Sequence, residues 1–220
     1  MFSAELRAVA ADVWEAQHAH PFVTGIGDGT LSADRFAHWV RQDHLFLVDY
    51  ARLLALGAAR APDLATMRSF AGLTQAILGE EMELHRALAA ELGVTPAELA
   101  AEGAAPATAA YTDFLLRTAA LGDFAELVAA LLPCMWGYAE VGERLAARGR
   151  PGHPHYDAWI DTYAAPEFAE LARWCRALVD HLAEDAGPGL RARMQQAFLT
   201  CSRHELAFWD VGWNLQRREP

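Results

Sequence analysis

The feature that most limits the fold of this chain is a helical pattern that covers nearly all of it. Ala, Leu, Glu and Arg, which are strong helix formers, dominate the sequence, and apolar residues recur three and four positions apart. We find no run of alternating β-branched residues that would predict a strand. Proline and glycine separate the helical segments. The sequence therefore predicts an all-α protein.

The proline and glycine positions also predict where the helices begin and end. We expect a short helical turn at TPAELAAE and a loop at GRPGHPHY. Ser32 is the expected N-cap of the second helix, and Pro62 is expected in the first turn of the third. The predicted helices cover about 3–18, 32–59, 62–93, 107–121, 123–148, 155–163, 167–185 and 188–216. Because no repeat or long linker divides the chain, we expect one domain over 1–220.

Charge and composition exclude several classes of partner. The formal net charge is −11, with 18 basic and 29 acidic residues, which argues against binding to nucleic acid or to an anionic membrane. The uncharged stretches fall short of the roughly 20 residues of a membrane span, and the first residues do not resemble a secretory signal. The three cysteines form no CxxC pair. We therefore expect a cytoplasmic protein without a disulfide framework.

Three polar groups interrupt the apolar stripes of three different predicted helices: Asp43, Cys134 and Glu205. A buried unpaired charge is costly, so each carboxylate is either a hydrogen-bonded structural group or a site residue. A cysteine on an apolar stripe usually serves packing, which is the role expected for Cys175 and Cys201. Three such groups on separate helices could also line one cavity.

Pro133 lies inside a predicted helix, directly before Cys134. A proline there removes one backbone hydrogen bond and strains the preceding turn. We therefore expect the helix to be loosened or kinked beside the cysteine.

The stretch PCMWGYAEVGERL, at 133–145, resembles the cysteine-bearing motif of the TenA family, the class II thiaminases or aminopyrimidine aminohydrolases. Four further motifs lie in the order expected for that family: DRFAHWVRQDHLFLVDYARLLA, TAAYTDFLL, WIDTYAAPEF and RHELAFWDVGW. The resemblance covers nearly the whole chain. It implies a haem-oxygenase-like helical bundle, usually a homotetramer, with one pocket per subunit and no metal, haem or other cofactor.

The resemblance also implies roles for individual residues. Cys134 would be the nucleophile and Glu205 the principal acid/base, while Asp43 would hydrogen-bond the aminopyrimidine ring and help to order the cysteine. Phe46 stands where some relatives have tyrosine, so stacking is expected there but a hydroxyl hydrogen bond is not. The residues that would line the substrate pocket are aromatic: Tyr111, Tyr138, Tyr163, Phe46 and Phe208.

The implied activity is the hydrolysis of 4-amino-5-aminomethyl-2-methylpyrimidine, and of thiamin, to 4-amino-5-hydroxymethyl-2-methylpyrimidine in thiamin salvage. Which substrate is preferred stays open. Two other classes also stay open: a non-catalytic regulatory protein of the same family, and a metal-dependent oxidase on the same fold. Glu81 and His85, one turn apart on one helix face, are candidate ligands for the oxidase, although we see no complete ligand set.

Overall fold

The computed structural model describes residues 1–218, with Glu80 described by its backbone alone, so the last two positions of the predicted domain 1–220 lie outside the described residues. Regular structure in the described residues is entirely helical, which confirms the predicted all-α class. The helices are α1 (Phe2–Val9), α2 (Ala11–His18), α3 (Pro21–Asp28), α4 (Ala33–Arg60), α5 (Leu64–Ala76), a π-helical segment (Ile77–Glu81), α6 (Met82–Glu91), α7 (Pro96–Ala101), α8 (Pro106–Leu121), α9 (Phe124–Arg148), α10 (Pro154–Tyr163), α11 (Pro166–Glu184) and α12 (Pro188–Asn214).

Two of the predicted helices are interrupted. The first is divided at Ala10, whose φ of −96° and ψ of 10° separate α1 from α2. The third consists of α5, the π-helical segment and α6. Pro62 does not lie in its first turn as predicted, because α5 begins at Leu64: the Asp63 carboxylate caps α5 by accepting hydrogen bonds from the backbone N–H groups of Ala65 and Thr66.

Helix α9 continues without a break through Pro133. The proline has no N–H group to donate to the carbonyl of Ala129, so one intrahelical hydrogen bond is missing directly before Cys134. That missing bond does not end the helix. α9 is also long and apolar enough to cross a membrane, but 72% of its most apolar window is buried in the protein, as in the core helix of a soluble protein.

The chain divides into two compact units, and whether they act as one domain stays a prediction. The first unit consists of Met1–Leu31 and Ala125–Trp209. In it, Trp14 of α2 packs against α12: its ring stacks on Phe198 with centroids 5.8 Å apart, and its Nε1 donates a hydrogen bond to Ser202 Oγ at 2.9 Å. Trp14 also contacts α9, where its ring lies edge-on to Trp136 at 5.1 Å.

The second unit consists of Ser32–Phe124 and Asp210–Pro220, and α5, α6 and α8 pack against α4. The apolar stripe of α4 that Asp43 interrupts is buried, as the sequence pattern predicts, and consists of Phe36, Val40, Leu47, Tyr50 and Leu54. Gly57 allows α5 to approach closely, because a Cβ atom at this position would lie 2.5 Å from the ring of Phe70.

Candidate active site

Helices α9 and α12 run parallel to one another in the first unit, as two contacts show. Near the beginning of both helices, Arg193 Nε donates a hydrogen bond to Glu126 Oε1 at 2.7 Å. Further along both helices, the rings of Tyr138 and Trp209 lie 5.1 Å apart. Because early residues meet early ones and later residues meet later ones, the two helices point in the same direction.

Cys134 and Glu205 occupy equivalent positions relative to the contact between Tyr138 and Trp209. Each lies four residues before its contact residue, and residues four apart share a helix face. Four residues correspond to about 6 Å along a helix axis. The predicted nucleophile and the predicted acid/base therefore lie at the same level on the neighbouring faces of two parallel helices.

The three cysteines differ in burial. Cys175 and Cys201 are fully buried, whereas Cys134 is half-buried. Burial raises the pKa of Cys175 to about 12. Burial also raises the pKa of Cys201 well above its usual value, and the negative charge of Glu205, one turn later, adds to this effect. The predicted packing role of these two thiols is confirmed, and Cys134 is the cysteine that solvent reaches in part.

Two of the predicted pocket residues of the first unit form one aromatic cluster. The rings of Tyr138 and Tyr163 lie 4.9 Å apart, and Trp159 lies 4.6 Å from Tyr163. Gly142 of α9 allows the backbone of Tyr163 to approach closely, since a Cβ atom at position 142 would lie 2.5 Å from the backbone carbonyl carbon of Tyr163. Phe208 is buried on α12, three residues after Glu205, and its place in a pocket wall stays a prediction.

The second unit brings Phe46 and Tyr111 together. Their ring centroids lie 5.0 Å apart, and the ring planes meet at an angle of 37°. The ring of Tyr50 stacks on that of Phe46 as well, with centroids 5.2 Å apart. Asp43 lies three residues before Phe46, on the same face of α4, and is 5% exposed. The structure thus gives Phe46 an aromatic neighbour, which suits the stacking role expected of it.

Sequence reasoning missed Gln42, which is fully buried and joins α4 to the beginning of α8. Its Oε1 accepts hydrogen bonds from Ala105 N–H at 2.9 Å and from Thr108 Oγ1 at 2.8 Å, and its Nε2 donates to the carbonyl of Gly103 at 3.0 Å. These bonds hold the first turn of the helix that carries Tyr111. No spacing rule could reveal them, because Ala105 is 63 residues away in the sequence.

Asp43 has a partner that the sequence did not reveal. His85 Nε2 lies 3.2 Å from Asp43 Oδ2, so the imidazole of α6 contacts the carboxylate of α4. Glu81 ends the π-helical segment one turn earlier, and burial raises its pKa to about 7.

Among residues 1–218, the cluster whose ligand atoms are close enough to hold a metal ion lies elsewhere and consists of Glu15, His18 and Glu140. Two arginines already bind its carboxylates: Arg7 donates to Glu140 at 2.9 Å, and Arg144 donates to Glu15 at 3.0 Å. Burial acts to raise the pKa of Glu140, but hydrogen bonds from His18 and Arg7 outweigh it and lower the pKa to about 2. The cluster is therefore a charge network that links α1, α2 and α9.

The chain matches the TENA/THI-4/PQQC family model over residues 7–215. It is 45% identical to the aminopyrimidine aminohydrolase of Halalkalibacterium halodurans, over 97% of this chain and 96% of the relative. A crystal structure of a TenA family transcription regulator from Silicibacter sp. TM1040 has a TM-score of 0.89 and 32% identity, with 96% of each chain covered.

The haem-oxygenase-like fold is confirmed by a further structure, a domain of unknown function with a heme oxygenase-like fold from Shewanella denitrificans OS217. Its TM-score is 0.77, with 96% of this chain and 92% of that chain covered, and its 13% identity shows likeness of fold alone. The family match and the relatives aligned over nearly their full length together confirm the resemblance seen in the sequence motifs. The protein belongs to the TENA/THI-4/PQQC family.

Proposed function

We propose that the protein is an aminopyrimidine aminohydrolase of thiamin salvage. It would convert 4-amino-5-aminomethyl-2-methylpyrimidine and water to 4-amino-5-hydroxymethyl-2-methylpyrimidine and ammonia, and it would hydrolyse thiamin to the same pyrimidine with release of the thiazole. The observation that carries the proposal is the position of Cys134 and Glu205 at one level of two parallel helices. The H. halodurans relative, called an aminopyrimidine aminohydrolase, supports it.

Cys134 would act as the nucleophile. Its thiolate adds to the protonated pyrimidine ring and forms a C–S bond. The electron pair that this addition places in the ring then expels ammonia from the exocyclic carbon. Water adds to that carbon and loses a proton, after which the C–S bond breaks and the thiolate is regenerated. A cysteine suits this route because it is both a strong nucleophile and a good leaving group.

Glu205 would move the protons of this reaction. As a carboxylic acid it donates a proton as the amine departs, and as a carboxylate it accepts one from the attacking water. Its position one turn from Trp209, at the level of Cys134, supports this role.

Asp43 and the aromatic residues would bind the substrate. A carboxylate accepts hydrogen bonds from the amino group and the protonated ring nitrogen of an aminopyrimidine, which stabilises the protonated ring that the thiolate attacks. Asp43 would also help to order the cysteine. Flat aromatic side chains hold a flat ring with little loss of conformational freedom. The residues proposed for this second task are Tyr111, Tyr138, Tyr163, Phe46 and Phe208.

We also propose that the protein is a cytoplasmic homotetramer. Leu64, Met67 and Leu78 recur at helical spacing along α5 and the π-helical segment, and they are 66%, 37% and 57% exposed. Leu84 of α6 is 66% exposed as well. Exposed apolar rows of this kind are typical of surfaces that contact another protein. Light scattering after gel filtration should give four times the mass of the chain, and a monomeric mass would contradict the proposal.

The activity is tested by measuring the hydroxymethylpyrimidine that the purified protein releases from each substrate, together with ammonia from the aminomethylpyrimidine and the thiazole from thiamin. We expect equal amounts of the two products from the aminomethylpyrimidine, and we expect turnover to persist in EDTA because we propose that no metal takes part. Absence of turnover on both substrates would contradict the proposed function. Loss of turnover in EDTA that iron restores would favour a metal-dependent oxidase instead.

A further inference from the structure

Helix α6 places a histidine against the carboxylate of Asp43. The Nε2 atom of His85 lies 3.2 Å from Asp43 Oδ2, and the two side chains are 10% and 7% exposed. The contact connects α6 with α4, two helices that pack against one another in the second unit. Because both groups are buried, water competes little for their contact. The contact is therefore electrostatically stronger than the same contact would be at the surface.

The surroundings hold the imidazole in this position. The ring of Trp39, on the α4 turn before Asp43, lies 6.4 Å from that of His85. α6 begins directly after the π-helical segment Ile77–Glu81. A π-type turn inserts one extra residue, which rotates the following side chains by about 100°. The π-helical segment therefore decides which face of α6 meets α4.

Burial lowers the pKa of His85 well below its usual value, and His44 adds to this effect. The imidazole is therefore neutral at pH 7 and carries a single N–H group. Its Nδ1 atom is buried and has no hydrogen-bond partner, whereas its Nε2 atom lies 3.2 Å from Asp43 Oδ2, so we assign the proton to Nε2.

We propose that His85 is a positioning residue for Asp43: it holds the carboxylate through Oδ2 and so fixes the orientation in which Asp43 meets the aminopyrimidine ring. The terminal torsion of an aspartate is otherwise broad. A displacement of about 1 Å in a reacting group can cost about 100-fold in rate. The inference rests on the proposed function and extends its machinery to a residue of α6 that does not itself touch the substrate.

The test compares His85→Leu, His85→Gln and His85→Asn with wild-type enzyme on the aminomethylpyrimidine. A Gln amide nitrogen reaches the position of Nε2, whereas an Asn amide is shorter. We expect His85→Leu and His85→Asn to lower kcat/KM by about 10- to 100-fold, as is usual for a partner that orients a functional group. His85→Gln should recover most of the activity. If His85→Leu does not fold, the comparison of Gln with Asn still decides the matter.

His38→Leu is the matched control. His38 is a histidine of the same unit, buried to a similar degree (6% exposed against 8%), and its Nε2 contacts the carbonyl of Gln216 at 2.6 Å rather than a carboxylate. The His38→Leu substitution should lower the melting temperature of the protein without a selective loss of turnover. Equal losses of activity in His85→Leu and His38→Leu, or a Gln variant no better than Asn, would overturn the proposal.

A double-mutant cycle provides the second readout. If His85 acts through Asp43, then adding His85→Leu to Asp43→Asn should cause no further loss of kcat/KM, whereas independent residues give losses that multiply. Multiplied losses would overturn the proposal while leaving the proposed function intact. Wild-type enzyme without turnover would instead overturn the proposed function, and the positioning role with it.

Discussion

The two buried carboxylates, Asp43 in the second unit and Glu205 in the first, have different neighbours. Asp43 faces the imidazole of His85, which another helix supplies. Glu205 lies one turn after Cys201 on its own helix, and its negative charge contributes to the raised pKa of that thiol. The roles proposed for the two groups differ as well: Asp43 would bind the aminopyrimidine ring, and Glu205 would exchange protons with the substrate.

The strongest test of this distinction is Glu205→Gln. The amide keeps the shape of the side chain but cannot exchange protons, so we expect kcat to fall by about 100- to 10,000-fold with little change in KM. Steady-state kinetics on the aminomethylpyrimidine measure this. Glu184→Gln, at the exposed end of α11, is the control and should leave kcat unchanged. Near-normal turnover in Glu205→Gln would remove Glu205 from the mechanism.

Asp43→Asn should act mainly on substrate binding. A hydrogen bond to a charged group contributes roughly 1.5–3 kcal/mol, so we expect kcat/KM to fall by about 10- to 100-fold, chiefly through KM. Asp49→Asn, on the same helix and paired with Arg52 at the surface, should have little effect. If Asp43→Asn lowers kcat as far as Glu205→Gln does, with an unchanged KM, the two carboxylates do not differ in role.

Two glycines of α9 test the packing around Tyr163 in the first unit. Gly142→Ala would place a Cβ atom 2.5 Å from the Tyr163 carbonyl carbon, so we expect a loss of about 1–3 kcal/mol in the free energy of unfolding. Gly137→Ala, on the same helix, meets no atom within 4 Å and should be neutral or stabilising by up to about 1 kcal/mol. Urea denaturation measures both. Equal effects would contradict the close contact at Gly142.

The smallest expected effect concerns the charge network around Glu140. Its pKa is lowered from 4.5 to about 2 in the folded protein. A carboxylate with a lowered pKa stabilises the fold above its unfolded pKa, and this contribution is lost as the pH falls towards the folded value. The free energy of unfolding of wild-type protein should therefore exceed that of Glu140→Gln at pH 7, and the difference should shrink from about pH 4.5 towards pH 2. A difference in the free energy of unfolding that does not change with pH would contradict this stabilising role of the Glu140 carboxylate. Glu170→Gln, in an exposed pair with Arg173, should show little difference at either pH.

Sequence periodicity was sufficient to predict most of the helices and the faces on which Asp43, Cys134 and Glu205 lie, but it missed α3 between the first two predicted helices. It could not predict the π-helical segment, because no proline or glycine pattern distinguishes one extra residue within a helix. The predicted last helix, 188–216, also extends too far: α12 ends at Asn214, and Leu215 takes a φ of 52° and is 40% exposed.

Contacts between distant segments are the part that the sequence could not provide. The spacing of Glu81 and His85 on one helix face made them candidate ligands, but it could not predict the contact of His85 with Asp43, which depends on the packing of α6 against α4. Gln42 escaped notice for the same reason, since its hydrogen bonds reach the beginning of α8. Patterns along one helix identify faces, whereas partners depend on which other helix the fold brings to that face.

The central claim is that Cys134 is the reactive nucleophile, and selective alkylation tests it most directly. Limiting iodoacetamide should modify Cys134 first, because burial keeps Cys175 and Cys201 protonated and enclosed. Peptide mapping by mass spectrometry, with activity measured in parallel, should show that inactivation follows this single modification and that hydroxymethylpyrimidine protects against it. Cys134→Ser should lack most activity and keep its helical content. Modification of Cys175 or Cys201 first with activity retained, or no protection by the pyrimidine, would contradict the claim.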